Sequence, residues 1–208
     1  MKRGRLITLE GNEGSGKSTQ IRLLYELLKR RGKKVYLTRE PGGTRTSDGI
    51  RAVLLDNRNK GMTPVCETLL YMASRAQLVE EVLLPKLASG HIVLCDRWLD
   101  ATVAYQGYGG GIDKDWIRSL GREVTKGIRP DLTLFLDLPL ACGLRRAKSH
   151  KKADRMERKN LAFHRRVRRG YDAIAKEEPK RFRRIRISET DPVRTVYEKI
   201  KEAVLNVL

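Results

Sequence analysis

An α/β fold, with a parallel sheet covered by helices on both faces, is what this chain predicts. Short apolar runs alternate with amphipathic helical stretches. A glycine-rich loop joins the first run to the first helix. A later run, 131–138, is apolar at nearly every position, as a strand buried on both faces should be.

In order, LITLE (6–10) reads as a buried strand. Residues 17–32 read as a helix with Ile21, Leu24, Leu27 and Leu28 on one face and Gly32 as its stop. KVYLTRE (34–40) is a second strand, ended by Pro41-Gly42-Gly43. Residues 46–56 form a short helix, and 64–88 a long helical stretch with Pro85 near its end. HIVLCD (91–96) is a third strand, 113–126 a helix, DLTLFLDL (131–138) a fourth strand, and 139–147 the start of a helix. A helix over about 157–177, a weaker strand at 183–188 and a closing amphipathic helix from 193 complete the chain. No repeat or low-complexity linker divides it, so its 208 residues are expected to form a single domain. The basic segment 145–158 lacks an apolar stripe and is the piece expected to move.

The formal net charge is +19, which fits anionic partners: phosphorylated small molecules, nucleic acid or a membrane surface. The charge gathers in 145–169 and 180–186; a solvated surface is the plain alternative. Cys66, Cys95 and Cys142 are scattered and odd in number, giving neither a disulfide framework nor zinc spacing, and a reducing cytoplasm is expected. No apolar run is long enough for a signal peptide or membrane span, so no membrane association is expected.

Gly11-Asn12-Glu13-Gly14-Ser15-Gly16-Lys17-Ser18 matches G-x-x-x-x-G-K-[ST] between a strand and a helix, with Thr19 following. Its glycines let backbone N–H groups curl around phosphate oxygens, and the helix N-terminus adds positive charge. Lys17 reaches the transferred phosphates and the Ser18 hydroxyl can ligate Mg²⁺. ATP or GTP with magnesium follows; the acceptor does not. Asp96 and Arg97 end the third strand, where strand ends face the ligand crevice: Asp96 suits Mg²⁺ and Arg97 a phosphate, unless they form a surface ion pair. Arg39 and Glu40, before the Pro-Gly-Gly bend, project near the same crevice. Tyr71 and Arg75, four apart on a helix, can hold an aromatic base and its phosphate, or simply be core and snorkelling side chains. Tyr105 and Gln106 can read a base or sugar edge, or lie in a flexible surface loop with the glycines of 104–113.

Together EGNEGSGKSTQ, REPGGT, the helix with Tyr71 and Arg75, DRWLDATVAYQG and DRMERKNLAFHRRVRRGY resemble the thymidylate kinase family, in that family's order and over most of the chain. The resemblance implies a five-stranded parallel sheet of the P-loop nucleoside monophosphate kinase type, a homodimer, a mobile lid, and transfer from ATP to dTMP with Mg²⁺. It places Glu13, Arg39, Arg75, Asp96, Arg97, Thr102, Tyr105 and Gln106 at the acceptor, with Arg51 a further candidate for its phosphate. Tyr71 takes a position usually held by a phenylalanine that stacks on thymine, and Tyr105 looks like the residue that crowds the ribose 2′ position. One branch of the family carries a catalytic arginine in the phosphate loop, where this chain has Gly14. The other branch supplies that charge from a basic lid, which makes Arg146, Lys148 or Arg155 the expected transferring cation, with Lys151 a further choice. Two alternatives stand beside this reading: a kinase of another deoxynucleotide such as dUMP, and a basic P-loop ATPase that binds nucleic acid. The charge leaves nucleic-acid binding open, although the resemblance does not require it.

Overall fold

The computed structural model of the chain describes residues 3–150 and 153–208, with backbone alone for 147–150. Five strands form one parallel sheet: β1 (Arg5–Gly11), β2 (Val35–Arg39), β3 (Ile92–Asp96), β4 (Leu132–Asp137) and β5 (Phe182–Arg186). Their order is β2-β3-β1-β4-β5. The strand leading into the phosphate loop is therefore central, and the chain crosses to opposite sides of it. Register pairs Leu9 with Asp96 and Gly11 with Leu136, which brings the carboxyl ends of β1, β3 and β4 to one rim. A crevice at that rim is the expected outcome of the topology.

The helices are α1 (Lys17–Arg30), α2 (Arg45–Leu55), α3 (Pro64–Leu78), α4 (Leu84–Ala88), α5 (Leu99–Thr102), α6 (Lys114–Val124), α7 (Leu140–His150), α8 (Leu161–Glu177) and α9 (Val193–Leu205). Strand alternation sorts the core. Ile7, Leu9, Leu94, Leu134 and Leu136 pack under α1 and α9, against Leu24, Leu28, Val196 and Ile200. On the other face Phe135 and Phe182 meet Val167 and Tyr171 of α8, while Leu6, Val93 and Cys95 meet Leu78, Val82 and Leu83.

The stretch read as one helix over 64–88 is helical throughout but widens at 79–83 into a π-helical turn between α3 and α4. Pro85 has no N–H to return to the carbonyl four residues back, which accounts for the change of winding. Of the two readings of residues 104–113, the flexible surface loop is excluded: α5 continues as a wide helical turn over Val103–Gly109, mostly buried. Its glycines serve packing. A Cβ on Gly109 would meet Phe163 at 2.7 Å, and one on Gly170 of α8 would meet Tyr108 at 2.8 Å, so the two segments lie closer than side chains would allow. In the basic segment, α7 runs through position 150, and buried Met156 anchors the far half.

Part of the excess arginine in 163–171 and 180–186 is structural. Arg168 and Arg184 pair with Asp137, Arg181 grips Asp100 with both terminal nitrogens, and Arg166 donates to the Gly109 carbonyl.

Candidate active site

The phosphate loop is shaped by three glycines with positive φ: Gly11 at 150°, Gly14 at 68° and Gly16 at 86°. Gly16 precedes α1 without a side-chain cap, so the first N–H groups of the helix stay free for an anion. Lys17 folds back and donates to the carbonyls of Gly11 and Asn12, each at 3.1 Å, and Ser15 closes the turn on Asn12 O at 2.8 Å. Burial, and then the neighbouring Arg97, hold the Lys17 ammonium below its usual pKa. Gly14 has a second constraint: a Cβ there would lie 2.1 Å from the Gly143 carbonyl oxygen of α7. Position 14, which the resemblance marks as an arginine in one branch of the family, is closed by the helix that leads into the basic segment.

Opposite this loop, Arg97 follows β3 with φ of 71°, a conformation rare outside glycine, and this turn lifts its side chain into the crevice. Its Nη2 donates to Glu13 Oε1 at 2.6 Å and Tyr105 Oη at 3.1 Å; Tyr105 in turn donates to Glu13 at 3.0 Å. The guanidinium lies 4.8 Å from the Tyr105 ring centre. Burial alone would raise the Glu13 pKa, but Arg97, Lys17 and the Tyr105 hydroxyl bring it down to about 2. Behind the knot, fully buried Glu10 accepts the Trp98 N–H and the Tyr171 hydroxyl, both at 2.8 Å. Burial and then the charge of Asp100 push Glu10 up to about 8.

At the far end of the crevice, Arg75 is 1% exposed. Its Nε and Nη2 donate to Glu40 Oε2 at 2.8 and 2.5 Å, and Nη2 also to Thr102 Oγ1 at 3.0 Å. Burial lifts Glu40 to about 7 against the pull of Arg75. Tyr71 and Gln106 complete this end, and Gln106 Nε2 donates to Glu67 Oε1 at 2.8 Å. At the rim, Arg39 faces Asp48 at 3.5 Å and Arg51 donates to Pro41 O at 2.8 Å. Burial and then Arg39 depress Arg51, so two guanidinium groups stand close enough to repel each other. An oxyanion placed between them would relieve that repulsion.

Ser18 Oγ donates to Asp96 Oδ2 at 3.3 Å, and buried Asp96 Oδ1 has no hydrogen-bond partner. One hydroxyl and one carboxylate with a spare oxygen, beside a phosphate loop, fit Mg²⁺, which takes few protein ligands and completes its shell with phosphate and water. Among the described residues no group of three or more His, Cys, Asp or Glu side chains forms an all-protein metal cage.

The crevice, of about 650 Å³, brings together Glu13 to Thr19, Arg39, Arg51, Tyr71, Arg75, Asp96, Arg97, Thr102, Tyr105, Gln106 and Arg146. Gly11 and Asn12 lie beneath the loop, their carbonyls occupied by Lys17. Arg146 also donates to the Glu189 carbonyl at 2.8 Å. Arg155, expected among the transferring cations, is placed elsewhere: it is 5% exposed, bonded to Glu67 at 2.5 Å and to Leu54 O at 2.8 Å, and does not line the crevice. The Lys148 side chain and all of Lys151 lie outside the described residues. Glu10, Glu67 and Tyr171 were missed by sequence reasoning. A buried role for Glu10 was signalled only by its place inside an otherwise apolar strand.

The thymidylate kinase family model matches residues 9–200. The thymidylate kinase of Trichlorobacter lovleyi is 50% identical over 206 residues, covering 96% of each chain. That of Geobacter sulfurreducens is 46% identical over 209 residues, covering 98% of this chain and 97% of the relative. A crystal structure of thymidylate kinase from Ehrlichia chaffeensis superposes with a TM-score of 0.77 at 33% identity, covering 98% of this chain and 99% of that one.

Proposed function

Since the chain belongs to the thymidylate kinase family, and so transfers the γ-phosphate of ATP to dTMP, we propose how its side chains divide that work. The donor phosphates rest on the loop, Gly11 to Thr19, and on Lys17. Ser18 and Asp96 would hold Mg²⁺, which would neutralise charge on the phosphate oxygens. The acceptor phosphate takes the place between Arg39 and Arg51, with Arg97 between it and the donor. Tyr71 stacks on the base, Arg75, Thr102 and Gln106 hold its edge, and Tyr105 fills the space beside the sugar that a 2′-hydroxyl would need. Glu13 is a fixed acceptor. With its pKa near 2 it stays a carboxylate across physiological pH and aims Arg97. The acceptor phosphate is largely dianionic at neutral pH, so no separate base has to take a proton from it.

Transfer needs positive charge on the migrating group. Gly14 offers none, so the basic segment supplies it as a lid over about 145–158. Arg146 carries the assignment, because it is the described cation of that segment that lines the crevice; Lys148 and Lys151 are the alternatives. The observation that bears most weight is the Arg97–Glu13–Tyr105 knot facing the loop. The first experiment is a coupled ADP-release assay with ATP, Mg²⁺ and dTMP, dUMP, UMP, dCMP, dAMP or dGMP, which separates dTMP from other acceptors. Arg146→Met is expected to lower kcat on the order of 10³-fold with KM for dTMP little changed. An unchanged kcat moves the role to the lysines, and if no lid substitution alters kcat, lid catalysis is wrong.

Val53, Val65, Leu69 and Trp116 are exposed on α2, α3 and α6, which pack beside one another, and this supports assembly as a homodimer through that face. Sedimentation equilibrium tests it. No described helix is long and apolar enough to cross a membrane, and a reaction that consumes ATP supports a cytoplasmic location. The nucleic-acid reading loses ground because Arg166, Arg168, Arg181 and Arg184, though partly exposed, already bond to groups of the chain itself.

A further inference from the structure

Glu67 of α3 is buried, lies outside the crevice lining, and uses each carboxylate oxygen for a different partner. Oε1 accepts from Gln106 Nε2 at 2.8 Å, and Oε2 accepts from Arg155 Nη1 at 2.5 Å. Arg155 is held in turn by its Nε on Leu54 O and its backbone N–H on Leu55 O, so it is fixed where the basic segment returns to the core.

A carboxylate only accepts hydrogen bonds. The Gln106 amide must therefore turn its NH₂ toward Glu67, which leaves its carbonyl oxygen for the crevice. No hydrogen bond to that oxygen is found among the described residues, and it is not sealed from the crevice. Arg75, on the same helix as Glu67, lines the same crevice; its Nε and Nη2 are taken by Glu40 and Thr102, and Nη1, which donates to Met72 Sδ at 3.2 Å, keeps one N–H to offer. The wall then presents a donor and an acceptor. Thymine offers the matching edge, a carbonyl next to an N–H. Cytosine offers an amino group next to a bare ring nitrogen, and that nitrogen would face the lone pairs of the Gln106 carbonyl.

We infer that Glu67 is a positioning residue for base discrimination, locking the Gln106 amide in the orientation that accepts from thymine and rejects cytosine. Arg155 supports it from the foot of the basic segment without touching the acceptor. The inference rests on the proposed placement of Gln106 at the base edge.

The test compares kcat/KM for dTMP and dCMP. Glu67→Gln keeps the shape but lets residue 67 offer either a donor or an acceptor, so Gln106 is free to turn over. The ratio of dTMP to dCMP is expected to fall about tenfold or more, because the site no longer strands a polar atom of the wrong base. Arg155→Lys keeps the buried charge balance but loses the fork that spans Glu67 and Leu54 O, and is expected to lower the ratio in the same direction, by roughly threefold. It carries the test if Glu67→Gln does not fold, as judged by its thermal transition. A general structural defect would lower turnover of both substrates and leave the ratio alone. A ratio unchanged in folded variants overturns the inference. Gln106→Met separates the two layers: if it too leaves the ratio unchanged, Gln106 does not read the base, whereas if it collapses the ratio while Glu67→Gln does not, only the role of Glu67 fails.

Discussion

Replacing Glu10 with glutamine should make the protein more stable above neutral pH, and less dependent on pH. Glu10 has no exposure to water. Its carboxyl accepts from Trp98 N and Tyr171 Oη, and it faces the Asp100 charge. Its pKa moves from 4.5 to about 8 on folding, chiefly through burial. Between those values the folded chain holds a proton that the unfolded chain has released. Raising the pH through the window therefore favours unfolding, by about 1.4 kcal/mol for each pH unit and on the order of 5 kcal/mol across it. Glutamine keeps the size, accepts from Trp98 through its carbonyl and meets the Tyr171 oxygen with its NH₂, and it has no charge to bury. Near pH 5 wild type and Glu10→Gln should differ by about 1 kcal/mol or less, the worth of one rearranged hydrogen bond. Near pH 8 the variant should be ahead by several kcal/mol. Urea unfolding of both proteins at about pH 5, 6.5 and 8 reads the difference directly. A gap between them that stays constant across the window would refute the reasoning, since it would mean that Glu10 does not change protonation on folding.

Three further outcomes are expected. Gly14→Ala, whose Cβ would lie 2.1 Å from Gly143 O, should raise KM for ATP about tenfold or more and lower the thermal transition, because loop and α7 must part; steady-state kinetics with varied ATP check it. Arg75→Met strands the Glu40 charge in the core and should cost about 3–5 kcal/mol, or roughly 6–20 °C in Tm. Adding Glu40→Gln should return much of that loss, as calorimetry would show. Asp96→Asn should raise the Mg²⁺ concentration needed for half-maximal ADP release, with ATP held constant, and leave the fold's Tm within a few degrees.

Strands and helices were legible because their residues repeat at the spacing of the structure they form. The phosphate loop, β3 ending in Asp96–Arg97, and Tyr71 with Arg75 one turn later all fell where periodicity and motif spacing put them. The glycines of 104–113 left two readings open because a glycine that frees the chain and one that admits a neighbouring helix look the same in a sequence. Here Phe163 and Val167, far along the chain, decide the matter. Arg155 failed as a cleft residue for a related reason. Composition marks a segment as basic but does not say which of its side chains turns inward to a buried acid. Glu67 was that acid, and an isolated glutamate on a helix normally reads as solvated.

The approach of Gly143 to Gly14 also bears on descent. By sequence alone, an arginine in this phosphate loop looks one substitution away. In this chain it is not. A side chain at position 14 meets backbone at position 143, and a Cβ at 143 would meet Glu13 O at 2.4 Å. Any side chain placed in the loop at this point therefore disturbs the donor site before a new cation can help. A larger side chain could enter the loop only after the start of α7 had moved away from it.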